Sequence, residues 1–152
     1  MVMKNNYMDY VCALYGDSNK AEKLSKVSRS RSDPTYPTED DEQAKLHVWL
    51  TREGIRHYAI PNGGKRNYVE AIKFKRTGVS SGVPDICIPY PMGLYHGLYI
   101  ELKRAKGGKV SDSQTEWLAF LTKNGYLAQV AEGFEKAKEI VLYYFSLRKT
   151  LA

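Results

Sequence analysis

The stretch between residues 78 and 103, GVSSGVPDICIPYPMGLYHGLYIELK, constrains this chain more than any other. An acid stands at the mouth of its first apolar run, Val83-Pro84-Asp85-Ile86-Cys87-Ile88. After a turn-rich interval comes a second run, Leu98-Tyr99-Ile100, which ends in Glu101-Leu102-Lys103. Side chains of a strand alternate faces, so Glu101 and Lys103 share one face, roughly 7 Å apart along the strand. Ile100 and Leu102 then point the other way, into a core. If the two runs pair as a hairpin, Asp85 comes to lie beside Glu101. Two carboxylates and one ammonium would then gather at one end of a sheet, with apolar residues behind them.

Carboxylates that close repel each other unless something neutralises them. A hard divalent cation is the natural candidate, and Mg²⁺ needs only one or two carboxylates together with water and phosphate oxygens. The lysine could orient a water or stabilise charge developing on a phosphate. A surface hairpin with an ordinary Glu101–Lys103 ion pair fits the same string, so the rest of the chain has to decide.

The 152 residues predict one principal domain with a core of its own. No apolar stretch approaches the roughly 20 residues that span a bilayer. The N-terminal MVMKNNYMDYV lacks the apolar segment of a signal peptide, and the expectation is a cytoplasmic protein with no membrane association. Two cysteines, Cys12 and Cys87, make neither a disulfide framework nor a cysteine zinc site. The net charge of +6 favours a polyanionic partner. The excess is clustered in Lys65, Arg66, Lys73, Lys75 and Arg76, and again in Lys103, Arg104, Lys106 and Lys109, on both sides of the proposed site. Either cluster alone also reads as a solvated basic face.

Residues 1–37 read as an extension: a short helix over Tyr7, Tyr10, Val11, Leu14 and Tyr15, a weaker helix to about Val27, and the linker SRSRSDPTYP. Residues 38–152 form the main domain. A capped helix opens it, with Thr38 as cap, acids in the first turn and Leu46, Trp49 and Leu50 inward. Glu42 falls on that inward stripe and needs a partner there; the other first-turn acids read as helix-dipole residues. A strand over residues 55–60 leads into Pro61-Asn62-Gly63-Gly64, a loop that either turns the chain or offers N–H groups to a phosphate beside Lys65 and Arg66. A short helix follows from about residue 67 to 76, then the strands around Asp85 and Glu101. Ser111-Asp112-Ser113-Gln114 opens another helix as a capping box, with Trp117, Leu118 and Leu121 inward. Gln114 either reaches back to the Ser111 N–H or bonds a phosphate or the water shell of the site. A strand over residues 126–131 and a helix after Gly133 complete the order α-β-α-β-β-α-β-α, an α/β fold with a mixed β-sheet flanked by helices. His47, His57 and His96 form no metal-binding or nuclease motif.

Glu42, then Val83-Pro84-Asp85, then Glu101-Leu102-Lys103, then Ser111 and Gln114 resemble, in order, the PD-(D/E)xK nuclease superfamily. More closely they resemble its VRR-NUC branch, the virus-type replication-repair nucleases. Ile60-Pro61-Asn62-Gly63-Gly64, the approach from Gly78 to Asp85, the run from Tyr95 to Lys103, and Trp117 are similar to further signatures of that branch. The resemblance covers about residues 38–147.

It implies a restriction-endonuclease-like core and phosphodiester hydrolysis dependent on Mg²⁺ or Mn²⁺, with no small-molecule cofactor. It implies that Asp85, Glu101 and the Leu102 carbonyl ligate the metal and that Glu42 completes the acidic cluster. Lys103 would position the attacking water and Gln114 would support it. Asn62, Gly63, Lys65, Arg66, Arg104, Lys106, Lys109 and Ser111 are the expected DNA contacts. Small members of the branch resemble phage junction-resolving enzymes, which implies a homodimer nicking four-way (Holliday) junctions. Another PD-(D/E)xK activity (flap, restriction-like or exonuclease) and a non-catalytic basic DNA-binding module are the alternatives.

Overall fold

The computed structural model describes residues 37–61 and 68–147. The helices and linker expected within residues 1–37, and the loop residues Asn62, Gly63, Lys65 and Arg66, lie outside that range. Helix α1 spans Glu39–Arg52, strand β1 Tyr58–Ala59, helix α2 Tyr68–Arg76, strand β2 Ile86–Ile88 and strand β3 Leu98–Lys103. Helix α3 spans Asp112–Lys123, strand β4 Leu127–Glu132 and helix α4 Gly133–Ser146. This is the α/β order expected from the sequence. The sheet order is β1-β2-β3-β4, antiparallel from β1 to β3 and parallel between β3 and β4.

Local chemistry sets the helix starts. Thr38 Oγ1 accepts the Asp41 N–H at 3.2 Å, and Asp41 Oδ2 accepts the Thr38 N–H at 3.0 Å. Ser111 and Gln114 form the same reciprocal box at the head of α3. Each box satisfies two N–H groups that a helix start otherwise leaves without partners.

Alternation does the rest. Leu98, Ile100 and Leu102 of β3 pack with Ile86 and Ile88 of β2 against Leu46 and Leu50 of α1 and Ala137, Val141 and Tyr144 of α4. Each large apolar side chain buried this way contributes roughly 1.5–3 kcal/mol. Tyr144 brings a polar group into this core and satisfies it by donating its hydroxyl to the Tyr90 carbonyl at 2.5 Å. Tyr99, Glu101 and Lys103 take the opposite face of β3, on the side where α3 packs against β4.

Two edges differ from the sequence expectation. Of residues 55–60 only Tyr58 and Ala59 join the ladder. Upstream, side chains fasten the backbone instead: the Arg56 N–H donates to the Tyr90 hydroxyl and the His57 imidazole bonds the Ile55 carbonyl. In α3 only Leu121 is fully buried, while Trp117 stays half-buried in edge-to-face contact with the exposed Phe120 ring.

The segment that leads into Asp85 crosses closely over the start of α3. Gly82 has φ +87°, and a Cβ there would lie 2.6 Å from the Ser113 carbonyl carbon and oxygen. Both the backbone angle and the approach require glycine. Gly82→Ala is expected to destabilise the fold by roughly 1–3 kcal/mol, measured as a lower urea midpoint at unchanged m-value. A midpoint equal to wild type would show that this crossing does not hold the segment.

Candidate active site

The β2–β3 register pairs Ile86 with Ile100. One step further along the same ladder, Asp85 stands opposite Glu101. Asp85 is tied down from below, since its Oδ2 accepts the Leu102 N–H at 2.8 Å. Its backbone carbonyl accepts the Ile60 N–H at 2.8 Å, which anchors the mouth of β2 to the end of β1.

Glu101 is 1% exposed and Lys103 6% exposed, so both charges are withdrawn from water. Glu101 Oε1 accepts from Lys103 Nζ at 2.8 Å and from the Gln114 side-chain amide. Gln114 thereby uses both ends of its amide: the oxygen accepts the Ser111 N–H at 2.8 Å and the nitrogen holds Glu101. Its partner in the site is the carboxylate itself. Glu101 Oε2 is buried and has no hydrogen-bond partner among the described residues. A buried acceptor without a donor costs about 1–3 kcal/mol. Burial pushes the Glu101 carboxyl up to about 7; Lys103 opposes that rise, and the charges of Asp85 and Glu39 add to it. Burial also raises Asp85, against the Leu102 N–H and Lys103 and with the charges of Glu39 and Asp40.

These residues fit a divalent cation. Burial raises both carboxyls, the Asp85 charge adds to the rise of Glu101, and Glu101 presents an oxygen without a donor among the described residues. A cation in contact with that oxygen would replace the missing donor and reverse the shift. Asp85, Glu101 and the Leu102 carbonyl would hold it, with water and phosphate oxygens completing the octahedron that Mg²⁺ demands. Among the described residues no group of three His, Cys, Asp or Glu side chains is arranged to hold a metal ion.

The structure gives Glu42 other partners. It is 5% exposed, as its place on the inward stripe of α1 requires. Its Oε2 accepts the Phe134 N–H at 2.6 Å and its Oε1 accepts Lys45 Nζ at 3.3 Å. Phe134 lies in the first turn of α4, so Glu42 caps that helix from across the core and complements its dipole. The α1 acid that faces the site is Glu39, one turn earlier. Its Oε2 lies 3.8 Å from Lys103 Nζ, and its charge acts on both Asp85 and Glu101. The sequence reading assigned Glu39 to the helix dipole. Its spacing of three residues from Glu42, which puts both on one helix face, is the signal that could have found it.

Of the expected nucleic-acid contacts, Lys106, Lys109 and Ser111 are exposed and Arg104 is half-buried. The Ser111 hydroxyl accepts the Gln114 N–H and shares a hydrogen bond with Ser113 Oγ, so it is committed to the start of α3.

Comparison with known proteins identifies the family and the fold. The family model described as VRR-NUC domain matches residues 38–135. A solved structure titled "VRR_NUC domain protein" is 32% identical in sequence, with a TM-score of 0.65, and the match covers 74% of this chain and 92% of that one. Among curated proteins nothing matches.

Two outcomes follow for stability. Glu42→Gln should destabilise the protein by about 1–3 kcal/mol through loss of a charge-assisted cap, whereas Glu39→Gln should leave urea unfolding within about 0.5 kcal/mol. Equal effects would contradict the separation of the two acids. The Glu101 carboxyl sits at about 7 against an ordinary 4.5. Its contribution to stability is therefore present below the ordinary value and lost as pH rises through the folded one. Melts of metal-free protein at about pH 5 and pH 8 should fall more for wild type than for Glu101→Gln; parallel falls would remove Glu101 as the titrating group.

Proposed function

This chain belongs to the VRR-NUC domain family, which makes it a nuclease of the PD-(D/E)xK type, and on that premise we propose that it is a metal-dependent endonuclease cleaving branched DNA. The observation that carries this reading is the orphaned Oε2 of Glu101, buried opposite Asp85. A carboxylate held that way is suited to a cation, because no donor among the described residues reaches its second oxygen. Mg²⁺ or Mn²⁺ is the cofactor proposed.

When bound, the ion would lower the pKa of a water and neutralise charge on the scissile phosphate. The chain's own residues do the positioning. The Leu102 N–H fixes the rotamer of Asp85, and Gln114 and Lys103 fix that of Glu101. Lys103 is the residue proposed to orient the attacking water, with Glu101 Oε1 and Glu39 holding its ammonium in place. Its charge also stabilises the phosphate oxygens as negative charge builds during in-line displacement. For the edge of the acidic cluster, where the sequence suggested Glu42, Glu39 is the acid proposed, since its Oε2 lies 3.8 Å from Lys103 Nζ.

The net charge of +6 supports a nucleic-acid substrate held through its backbone. The basic residues proposed to hold it are Arg104, Lys106 and Lys109 beside the site, with Asn62, Gly63, Lys65 and Arg66. A four-way junction cut by two copies of the chain, each nicking one strand, is the substrate and assembly proposed, in line with the resemblance of small members of the branch to junction-resolving enzymes. Among the described residues no helix is long and apolar enough to cross a membrane.

The test is a cleavage panel of four-way junctions, flaps, duplexes and single strands, with and without Mg²⁺. Asp85→Ala and Glu101→Ala should each lower the cleavage rate by at least ~10²–10³-fold while DNA binding in the absence of metal stays near wild type. Metal-dependent cleavage retained by both variants would end the assignment. Uniform cleavage of all the DNA forms would end the junction preference while leaving the nuclease intact.

A further inference from the structure

A cavity lies between α1 and the short edge strand β1. It measures about 370 Å³ and is lined by Asp40, Gln43, Ala44, His47, His57, Ala59 and Ile86. Its size falls within the ~300–1,000 Å³ of small-ligand pockets. Ala44, Ala59 and Ile86 give it an apolar floor, and its polar groups are one amide, two imidazoles and one carboxylate.

The hydrogen bonds of the histidines fix what the cavity offers. His57 Nδ1 lies 2.8 Å from the Ile55 carbonyl, which can only accept, so that nitrogen carries the proton. In the neutral ring Nε2 is then an acceptor, and it lies 2.7 Å from His47 Nδ1, which must donate. This leaves His47 Nε2 as an acceptor without a partner among the described residues. Burial, with His57 next to it, keeps His47 below its ordinary pKa and so neutral at pH 7.

The lining disfavours two kinds of ligand. Among the described residues no Lys or Arg lines the cavity, and Asp40 would repel a phosphate. A metal ion fits poorly in turn, because both ring nitrogens of His57 and Nδ1 of His47 are taken by protein hydrogen bonds, which leaves His47 Nε2 and Asp40 to meet one. What remains is a neutral, flat group with apolar faces and a donor-bearing edge. Place points the same way. Ile86 directly follows Asp85, and Asp40 lies close enough for its charge to act on Asp85. One end of the cavity therefore adjoins the acids of the candidate active site.

We propose that this cavity is a base-binding subsite that receives one unpaired nucleobase of the cleaved strand, adjacent to the scissile phosphate, and favours a base with an exocyclic amino group. Asp40 and His47 Nε2 accept from the amino edge, and the Gln43 amide supplies both a donor and an acceptor. Adenine, cytosine and guanine meet that pattern; thymine lacks the amino group. The base must be out of the stack to enter, which matches DNA frayed at a branch. The subsite rests on the nucleolytic reading above and adds to it a local base preference on top of a preference for structure.

The experiment is an abasic scan. Branched DNA is prepared with each base near the branch point removed in turn, or replaced by thymine. Binding to the full chain is followed by fluorescence anisotropy without divalent metal, and cleavage is followed separately with Mg²⁺. For wild type, loss of one base or its replacement by thymine should weaken binding about tenfold, the worth of one or two hydrogen bonds. The double variant Gln43→Ala, His47→Ala should bind the intact DNA more weakly and be indifferent to that position. Should this variant melt early, Asp40→Ala, which removes an acceptor at an exposed position, should discriminate less between an amino-bearing base and thymine at that position. A flat scan for wild type, or equal sensitivity in the variants, overturns the subsite. Binding that depends on one base without any metal-dependent cleavage leaves the subsite standing and removes the nucleolytic reading instead.

Discussion

The register between β2 and β3 is the constraint on which the rest depends. Ile86 faces Ile100 in an antiparallel ladder, so Asp85 must face Glu101. A slip of one residue would send Glu101 and Lys103 into the apolar core and Ile100 and Leu102 toward the site. The core resists that slip, because Leu98, Ile100 and Leu102 are buried between β2, α1 and α4. The Leu102 N–H adds a polar lock by holding the Asp85 carboxylate. Apolar packing on one face of the sheet thus fixes the positions of charges on the other.

The site carries electrostatic strain that the fold holds in place. Glu101 is buried with Lys103 beside it, yet its carboxyl remains well above the usual carboxylate range. One of its oxygens is clamped by Lys103 and Gln114 and the other has no donor among the described residues. Clamping one oxygen fixes the direction of the other, which is what a metal ligand needs before the metal arrives. Gln114 can hold Glu101 because the capping box at Ser111 has already set its rotamer, and Gly82 lets the Asp85 segment lie against that same helix start. Helix capping, a tight glycine crossing and the candidate active site are therefore one connected structure.

Much of this was legible in the sequence because alternation and capping are local rules. The partition of Glu101 and Lys103 from Ile100 and Leu102, both capping boxes, and the burial of Glu42, Leu46 and Leu50 follow from spacing alone. The partner of Glu42 was not legible. A buried carboxylate announces that it needs a partner, but the Phe134 N–H lies 92 residues further along the chain. Only the docking of α4 on α1 brings the two together. Glu39 escaped for the converse reason: an acid in a first turn already has a sufficient explanation in the helix dipole, so nothing local pointed to Lys103. The shortness of β1 and the pairing of His47 with His57 depend in the same way on tertiary hydrogen bonds made by Tyr90 and the Ile55 carbonyl.

The central claim is that Asp85 and the free oxygen of Glu101 bracket the position of a divalent cation. Anomalous diffraction from crystals soaked in Mn²⁺ locates such an ion directly. The account predicts one strong peak within ligand distance of Asp85 and Glu101 Oε2, absent from crystals of Glu101→Gln. A peak elsewhere on the chain, or none between these two carboxylates, would contradict it.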